Sequence, residues 1–449
     1  MKSLIIKKPL LLLLTAFITF AACSDSNNSD SVLEADFEVT IENIGTAYSL
    51  IKSGSFSVPV GSSAAGPIGP GGAYEFEFTA PVGSRLTFAT MFVQSNDWFY
   101  APEEAGIELF NSDGSQVTGD ITSLINLYDS GTEADEVPGE GVNQAPRQSG
   151  ANTGAVDPDN TVRLVSESNL PSTSDVLQVT LTSTSANGFR IRIENVSTST
   201  TLQTANGGVA VPLAPGVWAV HSGSESGALF TVGQPDAGLG LEGVAEDGSF
   251  GDLETNLADV TGITVPFAPG AFAVYQGDNP IFTSGAAFPD NGIEGVAEDG
   301  STDQIAAALS ADANVRESGV FAQPVGASEN GPIGPGASYQ FTFRAQDGDY
   351  LNFATMFIQS NDLFYAASNS GVLLFENGNP ISGDITDMVL LWDAGTEENE
   401  EPGIGGYQAP RQPGANMGPA DSDQTVRIVN DGYSYPITDQ LIRVTIRTL

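Results

Sequence analysis

Two acidic turns with the same spacing of carboxylates are the clearest candidates for chemistry in this sequence. One is DSGTE at residues 129–133 and the other is DAGTE at residues 393–397. Calcium is bound by roughly six to eight oxygen atoms, usually from carboxylates and backbone carbonyls in flexible loops. Two carboxylates on either side of a glycine can turn toward one point, so each turn is predicted to hold a cation. The predicted ligands are Asp129, Glu133, Asp393 and Glu397.

A further aspartate precedes each turn by one predicted hairpin, at Asp97 and at Asp362. A hairpin returns the chain to the end at which it started, so these carboxylates can reach the same cation. They can instead hydrogen-bond to backbone amides and hold a turn. We include both as candidate ligands and keep the turn-holding interpretation open.

Composition excludes several other kinds of site. The sequence has 449 residues, with 15 Lys and Arg against 56 Asp and Glu and a net charge of −41, which repels nucleic acid and anionic lipid. It has one cysteine and one histidine, so a structural zinc cluster and an intrachain disulfide are excluded. A Ser-His-Asp triad would need His221, which becomes Tyr275 in an internal repeat, so we interpret it as a surface or packing residue. We predict no enzyme activity.

The first residues are typical of a secretory leader. Lysines precede a short apolar stretch, and residues 1–22 end in small residues before Cys23. This end resembles the bacterial lipobox, which implies cleavage before Cys23 and lipidation of that residue. An ordinary signal peptide with a free thiol is the alternative. Residues 23–35 contain a polar tether, and Ser24 after the cysteine implies the outer membrane or cell surface of a bacterial envelope.

The rest of the chain is duplicated. GPIGPG at residues 66–71 recurs at 331–336, MFVQSNDWFYA at 91–101 recurs as MFIQSNDLFYA at 356–366, and QAPRQ at 144–148 recurs at 408–412. The strand-like segments FEVTIEN and FRIRIEN open the two copies. From these we predict a first domain at 36–184 and a second at 187–449.

The second copy is longer because of a segment at about 209–310 that is itself doubled. Its two repeats share VPLAPG or VPFAPG and then GVAEDGS, and DQIAAAL at residues 303–309 is the best helix candidate. Elsewhere apolar and polar residues alternate in short runs between turns. We therefore predict an all-β chain of two antiparallel β-sandwich domains in tandem, with short helices in the inserted segment of the second.

At this point the sequence resembles a known family. QSNDWF at residues 94–99, a hairpin, and then LYDSGTE at residues 127–133 look like the spondin N-terminal domain. The resemblance implies a C2-like antiparallel β-sandwich with calcium at one end, and one Ca²⁺ in each of the two copies. It implies that the acidic turns supply the ligands, although the last ligand is Glu here and Asp in animal members. Animal members are adhesive matrix proteins.

Three further sets of residues are candidates for function. Arg147 and Arg411 lie in identical segments and are predicted to pair with carboxylates and clamp the acidic turn; anion binding is the alternative. Trp98, Tyr100 and Trp218 are either packing residues or an exposed platform for a sugar. The acid pairs 246–247 and 298–299 are predicted to cap the following helix, with a second cation as the alternative.

Together these patterns predict a non-enzymatic, calcium-binding lipoprotein of the bacterial cell envelope that acts in adhesion or recognition. Its partner would be an extracellular protein or glycan. We expect no nucleic-acid partner and membrane contact only through the lipid anchor. A carbohydrate- or matrix-binding module that uses exposed aromatic residues is the alternative, and a hydrolase acting through acid pairs is a third possibility.

Overall fold

The structure is a computed structural model and describes residues 33–223 and 227–449. In these residues antiparallel strands dominate and the helices are few and short, which confirms the predicted all-β sandwich class. The predicted leader, Cys23 and most of the predicted tether lie outside the described residues.

Strands and helices are numbered in chain order. The strands are β1 Glu34–Asn43, β2 Leu50–Phe56, β3 Ala73–Thr79, β4 Ser84–Phe92, β5 Trp98–Pro102, β6 Ile107–Glu108, β7 Gly119–Asp120, β8 Ile125–Asp129, β9 Arg163–Leu164, β10 Leu177–Ser183, β11 Gly188–Asn195, β12 Leu202–Thr204, β13 Gly207–Val209, β14 Leu213–Ser222, β15 Phe267–Tyr275, β16 Val315–Phe321, β17 Ser338–Gln346, β18 Tyr350–Phe357, β19 Leu363–Ala367, β20 Val372–Leu373, β21 Phe375–Glu376, β22 Asn379–Pro380, β23 Gly383–Asp384, β24 Val389–Asp393, β25 Arg427–Ile428 and β26 Ile442–Thr448. The helices are α1 Thr173–Val176, α2 Leu241–Asp247, α3 Gly251–Asp259, α4 Ile293–Asp299, α5 Asp303–Ala311 and α6 Thr438–Leu441, with 3-10 turns at Thr122–Leu124 and Thr386–Met388.

The strands form two units of the same design. In the first unit a large sheet of order β2-β14-β4-β5-β8-β9 faces a small sheet of order β3-β11-β10-β7. In the second unit the large sheet is β16-β15-β18-β19-β24-β25 and the small sheet is β17-β1-β26-β23. Each pair of sheets encloses one apolar core, which is the arrangement of a β-sandwich.

The small sheets show the alternation that the sequence predicts. In β17 the side chains of Tyr339, Phe341 and Phe343 point into the core and the residues between them are exposed. The outer faces of these sheets carry Arg–Glu pairs between neighbouring strands, such as Arg192 with Glu75 at 2.7 Å. One face of each small sheet is therefore solvated.

The large sheets are covered on both faces, and their strands are apolar almost throughout. One face packs on the small sheet, and the other packs on a pair of helices: α2 and α3 in the first unit, α4 and α5 in the second. The predicted helix at 303–309 is present as α5. We had predicted helices only in the inserted segment of the second copy, but each unit has a helix pair, because one repeat of the doubled segment lies in each unit.

The predicted boundaries at 36–184 and 187–449 do not follow the strand pairing. Strand β1 lies between β17 and β26 of the second unit, where Phe37, Val39 and Ile41 are fully buried. Strand β11, which we had assigned to the start of the second domain, lies between β3 and β10 of the first. The two strands have the same apolar pattern and fill equivalent positions, so their sequences alone do not indicate which sandwich each one joins.

The units are therefore nested rather than in tandem. The first unit is a continuous stretch, residues 50–259, and it is inserted between β1 and the rest of the second unit. The chain crosses between the units twice, and the two crossings lie side by side. The amide of Leu50 donates to Val260 O at 3.1 Å, and the amide of Gly262 donates to Leu50 O at 3.0 Å.

Candidate metal centres at the acidic turns

Neighbouring strands of the large sheet bring the first acidic turn together. Asp97 immediately precedes β5 and Asp129 is the last residue of the antiparallel strand β8, with Trp98 opposite Asp129. The start of one strand and the end of its antiparallel neighbour lie at the same sheet edge, so both carboxylates are held there. In the second unit Asp362 and Asp393 have the same relationship through β19 and β24.

The two oxygens of Asp97 have different surroundings. Oδ2 accepts hydrogen bonds from the backbone amides of Thr132 at 2.7 Å and Glu133 at 3.1 Å, and from the Ser130 hydroxyl at 2.9 Å. Oδ1 is buried and has no hydrogen-bond partner. One oxygen thus holds the turn, as the turn interpretation predicts. The other has no hydrogen-bond partner, although a buried acceptor normally has one.

Asp129 lies beside Asp97 and beside a third carboxylate, that of Asp135. Its Oδ1 accepts from the backbone amide of Gly131 at 2.7 Å, and its Oδ2 forms an ion pair with Arg163. Oxygen atoms of Asp97, Asp129 and Asp135 lie within 4.8 Å of one another. Carboxylate oxygens at this spacing suit a hard cation such as Ca²⁺.

Electrostatics makes this group of carboxylates costly even with Arg163 beside Asp129. Burial, together with the charges of Asp97 and Asp135, raises the pKa of Asp129 to about 8. Asp135 is the exposed member of the group, and partial desolvation of its carboxylate and the charge of Asp97 raise its pKa to about 6, against a hydrogen bond of 2.6 Å from Trp98 Nε1. Both shifts favour the neutral forms, and a bound cation would reverse them.

The second unit has the same turn with one substitution in the group. Asn399 stands where the first unit has Asp135, and its Nδ2 donates to Asp393 Oδ2 at 2.9 Å. Arg427 Nη2 contacts the same oxygen at 2.7 Å. Burial and the charge of Asp362 raise the pKa of Asp393 to about 7. Asp362 Oδ1 is again buried without a partner, but two donors already contact Asp393 Oδ2.

We had predicted that Glu133 and Glu397 join these groups of aspartates, but other groups bind their carboxylates. Glu133 Oε1 accepts from the backbone amide of Gly154 at 2.6 Å, and its Oε2 accepts from Asn96 Nδ2 at 3.2 Å. Glu397 makes the same bonds to Gly418 at 2.7 Å and to Asn361 at 3.4 Å. Each glutamate is bound instead by the loop amide and an asparagine side chain, so it secures the following loop.

The acid pairs at 246–247 and 298–299 do not cap the following helix. They form the last turn of α2 and of α4, and no side chain caps α3 or α5. Glu246 and Glu298 point into the protein beside the acidic turns and are buried. The capping prediction was wrong because these acids belong to helices of their own, which begin after Gly240 and Gly292.

Arg147 and Arg411 bind neutral oxygens, so their predicted pairing with carboxylates was wrong. Arg147 donates to Gly141 O at 2.6 Å and to Gln94 Oε1 at 3.1 Å, and it also bonds to Gln144. Arg411 makes the equivalent bonds in the second unit, and burial lowers its pKa to about 10. The arginines that do pair with the acidic turns are Arg163 and Arg427.

The aromatic platform, which was the alternative to packing, is not exposed at its three candidate residues. Trp98 and Tyr100 are 1% exposed and Trp218 is 8% exposed, and all three pack in the core of the first unit. They form the face of the large sheet that meets the small sheet, so the packing interpretation holds. His221 is also a packing residue, because it is fully buried in β14.

Sequence reasoning missed several residues of the site. Asp135, Arg163 and Arg427 lie outside the motifs that we considered, as does Asn152, which contacts the acids of α2. Alignment of the two copies would have shown GANTG at 150–154 opposite GANMG at 414–418, and Asp135 opposite Asn399.

Comparisons with protein-family models and with curated proteins give no match for this chain.

Proposed function

We propose that this protein is a non-enzymatic, calcium-binding adhesion or recognition protein of a bacterial cell envelope, held there by a lipid on Cys23. The observation that carries the calcium part is the convergence of Asp97, Asp129 and Asp135 within 4.8 Å, with one fully buried Asp97 oxygen left unpaired. The cation would neutralise carboxylates that burial and mutual repulsion otherwise drive toward protonation. The resemblance of the turns to the spondin N-terminal domain supports the adhesive part.

The first unit is the better cation site of the two. Each turn has one arginine paired with its second aspartate, Arg163 or Arg427, but in the second unit Asn399 replaces the third carboxylate and donates to Asp393. We therefore revise the expectation of one calcium at each turn to one calcium at the turn of the first unit. An ordered turn at the end of the sandwich would then present its loops to a partner protein or glycan.

The calcium part is tested by thermal melts of the purified protein in millimolar calcium and in chelator. A ligand that binds only the folded state stabilises it by RT ln(1 + [L]/Kd), or about 2.7 kcal/mol at a hundredfold excess over Kd. Calcium is expected to raise the Tm of the wild type and of Asp393→Asn. Asp129→Asn should lose the part of the shift that comes from the first turn, and an unchanged shift in that variant would refute the site.

The envelope and adhesion parts need separate tests. Radiolabelled palmitate should enter the wild-type protein in a bacterial host and not the Cys23→Ala variant; equal labelling would exclude the anchor. Cells that display the protein should adhere to a matrix or glycan surface in calcium and less in chelator, and Asp129→Asn should adhere as the wild type does in chelator. No helix of the described residues has the length and apolar character needed to cross a bilayer.

A further inference from the structure

A second acidic pocket lies next to the first turn, between α2 and the GANTG loop. Glu242 and Glu246 are one helical turn apart on α2 and face the same way. The side-chain amide of Asn152 lies 2.8 Å from Glu242 Oε1 and 2.7 Å from Glu246 Oε2. Three polar side chains thus meet at one point beside the helix.

The second unit builds the same pocket from its own residues. The amide of Asn416 lies 2.8 Å from Glu294 Oε1 and 2.7 Å from Glu298 Oε2, both on α4. The distances in the two units are the same, whereas the acidic turns differ at Asp135 and Asn399. The pocket is therefore the more closely preserved of the two acidic features within this chain.

Each pocket contains a buried oxygen that the protein leaves unpaired. Glu246 is 2% exposed and Glu298 is 1% exposed, and Oε1 of each has no hydrogen-bond partner. Two like charges one helical turn apart also destabilise a helix. Burial raises the pKa of Glu246 to about 8 with help from the charges of Glu133 and Glu242, although the side chain of Thr132 opposes the shift. Burial raises the pKa of Glu298 to about 8 against the equivalent Thr396.

The loop that supplies the asparagine is fixed in place. Asn152 has a left-handed backbone with φ of 52°, and Asn416 has φ of 54°. Two residues later, Gly154 donates to Glu133, and a Cβ at Gly154 would lie 2.1 Å from the carboxylate of Glu133. A larger residue here would have to displace the Glu133 carboxylate, and one at Gly418 would have to displace that of Glu397.

We propose that each of these pockets binds a divalent cation of the calcium type, with Asn152, Glu242 and Glu246 as ligands in the first unit and Asn416, Glu294 and Glu298 in the second. A half turn of the asparagine amide exchanges its nitrogen and oxygen. With nitrogen inward, the amide donates to both carboxylates and holds the empty pocket together. With oxygen inward, three oxygens face the cation, and the unpaired glutamate oxygen gains a partner.

The pocket of the first unit is open to its ligand. Asn152 and Glu242 line a cavity of about 530 Å³ together with Asp236, Asp247 and Asp252, and Glu246 lies behind them outside its lining. Asn152 is exposed and Glu242 is half-buried, so a hydrated cation reaches them directly. Water and the surrounding carboxylates complete the oxygen shell that calcium requires.

The test is isothermal titration of the purified protein with calcium, which gives the number of bound ions. Glu246→Gln with Glu298→Gln removes one charge from each pocket and preserves side-chain size, and Glu254→Gln on α3 is the matched control. Wild type and control are expected to bind three ions: one at the first acidic turn and one in each pocket. The double glutamine variant is expected to bind one and Asp129→Asn two.

The outcomes separate this inference from the proposed function, on which it does not rest. If the wild type binds one ion, lost in Asp129→Asn and retained in the double variant, the pockets are not cation sites. If it binds two ions that only the double variant loses, the pockets are cation sites and the acidic turn is not. A double variant that melts below the wild type in chelator would be replaced by Asn152→Ala with Asn416→Ala, for which the same loss of two ions is expected.

Discussion

Asp135 and Asn399 occupy equivalent places in the two units and form opposite hydrogen bonds. Asp135 Oδ1 accepts a hydrogen bond of 2.6 Å from Trp98 Nε1, whereas Asn399 Nδ2 donates one of 2.9 Å to Asp393 Oδ2. The tryptophan that donates in the first unit is Leu363 in the second. One unit therefore gathers three carboxylates, and the other replaces the third with a donor.

This difference predicts a gain of cation binding in the second unit. Asn399→Asp would remove the donor from Asp393 and add a third carboxylate beside Asp362. We expect one additional calcium in a titration and a larger rise in Tm on adding calcium than in the wild type. In chelator the variant should melt below the wild type, because the added charge has no partner.

The reverse substitution in the first unit is the control for that gain. Asp135→Asn should lose the ion of the first turn and melt higher than the wild type in chelator, because one repulsive charge is removed. An Asn399→Asp protein that binds no more calcium than the wild type would contradict the role of this position.

Stability should fall as pH rises when no cation is present. The pKa of Asp129 is raised to about 8 and that of Asp135 to about 6, from 3.8. A carboxyl group with a higher pKa in the folded than in the unfolded state binds protons more readily when folded, so the free energy of unfolding decreases between pH of about 4 and 8. Glu246 and Glu298 contribute in the same direction.

Thermal melts in calcium-free buffer from about pH 5 to pH 8 measure this effect. The Tm of the wild type should drop over this range, and Asp129→Asn should reduce the drop. Glu108→Gln, at an exposed glutamate that pairs with Arg85, should leave the slope unchanged. A Tm that rises with pH, or an equal slope in all three proteins, would show that the buried carboxylates do not govern stability.

Strand β1 should be essential to the second unit although it lies far away in sequence. Phe37 is fully buried and stacks on Phe343 at 5.5 Å between ring centroids. Phe37→Ala is expected to lower the free energy of unfolding by about 3–5 kcal/mol, as for other large-to-small core substitutions. Chemical denaturation followed by tryptophan fluorescence, to which Trp98 and Trp218 of the first unit and Trp392 of the second contribute, would measure the loss.

The matched substitution in the first unit is Phe189→Ala, in the equivalent strand β11. It should destabilise the first unit by a similar amount and leave the second unit's transition in place. If Phe37→Ala affected the first unit instead, the strand pairing described above would be wrong.

Gly154→Ala should disturb the acidic loops through a direct clash. Its Cβ would lie 2.1 Å from the Glu133 carboxylate, so either the loop or the glutamate must move. Forcing an added methyl group into a packed site costs typically about 1–3 kcal/mol. Gly150→Ala, where no atom lies within 4 Å of the added carbon, is the control and should be close to neutral in a thermal melt. Equal Tm values for the two variants would count against the loop packing.

Local pattern was enough to predict the sandwich class, most strands and the place of Asp97 beside Asp129. These depend on alternation, repeats and hairpin geometry, which are properties of short segments. The partner of β1 was not predictable in this way, because β1 and β11 share one pattern and compete for equivalent positions. Glu133 was misplaced for a similar reason: its spacing fits a cation, but the amide of Gly154, 21 residues away, binds its carboxylate.

The nested order of the chain determines how the protein would carry a mechanical load. Strand β1 is antiparallel to both of its neighbours and paired with them along most of its length. Force applied at its first residues acts along the strand and loads these hydrogen bonds together in shear, rather than opening them one at a time. A tether that pulls on this end would therefore pull against an interior strand of the second unit, and a load from a partner held at the first acidic turn would reach that strand through the two adjacent crossings.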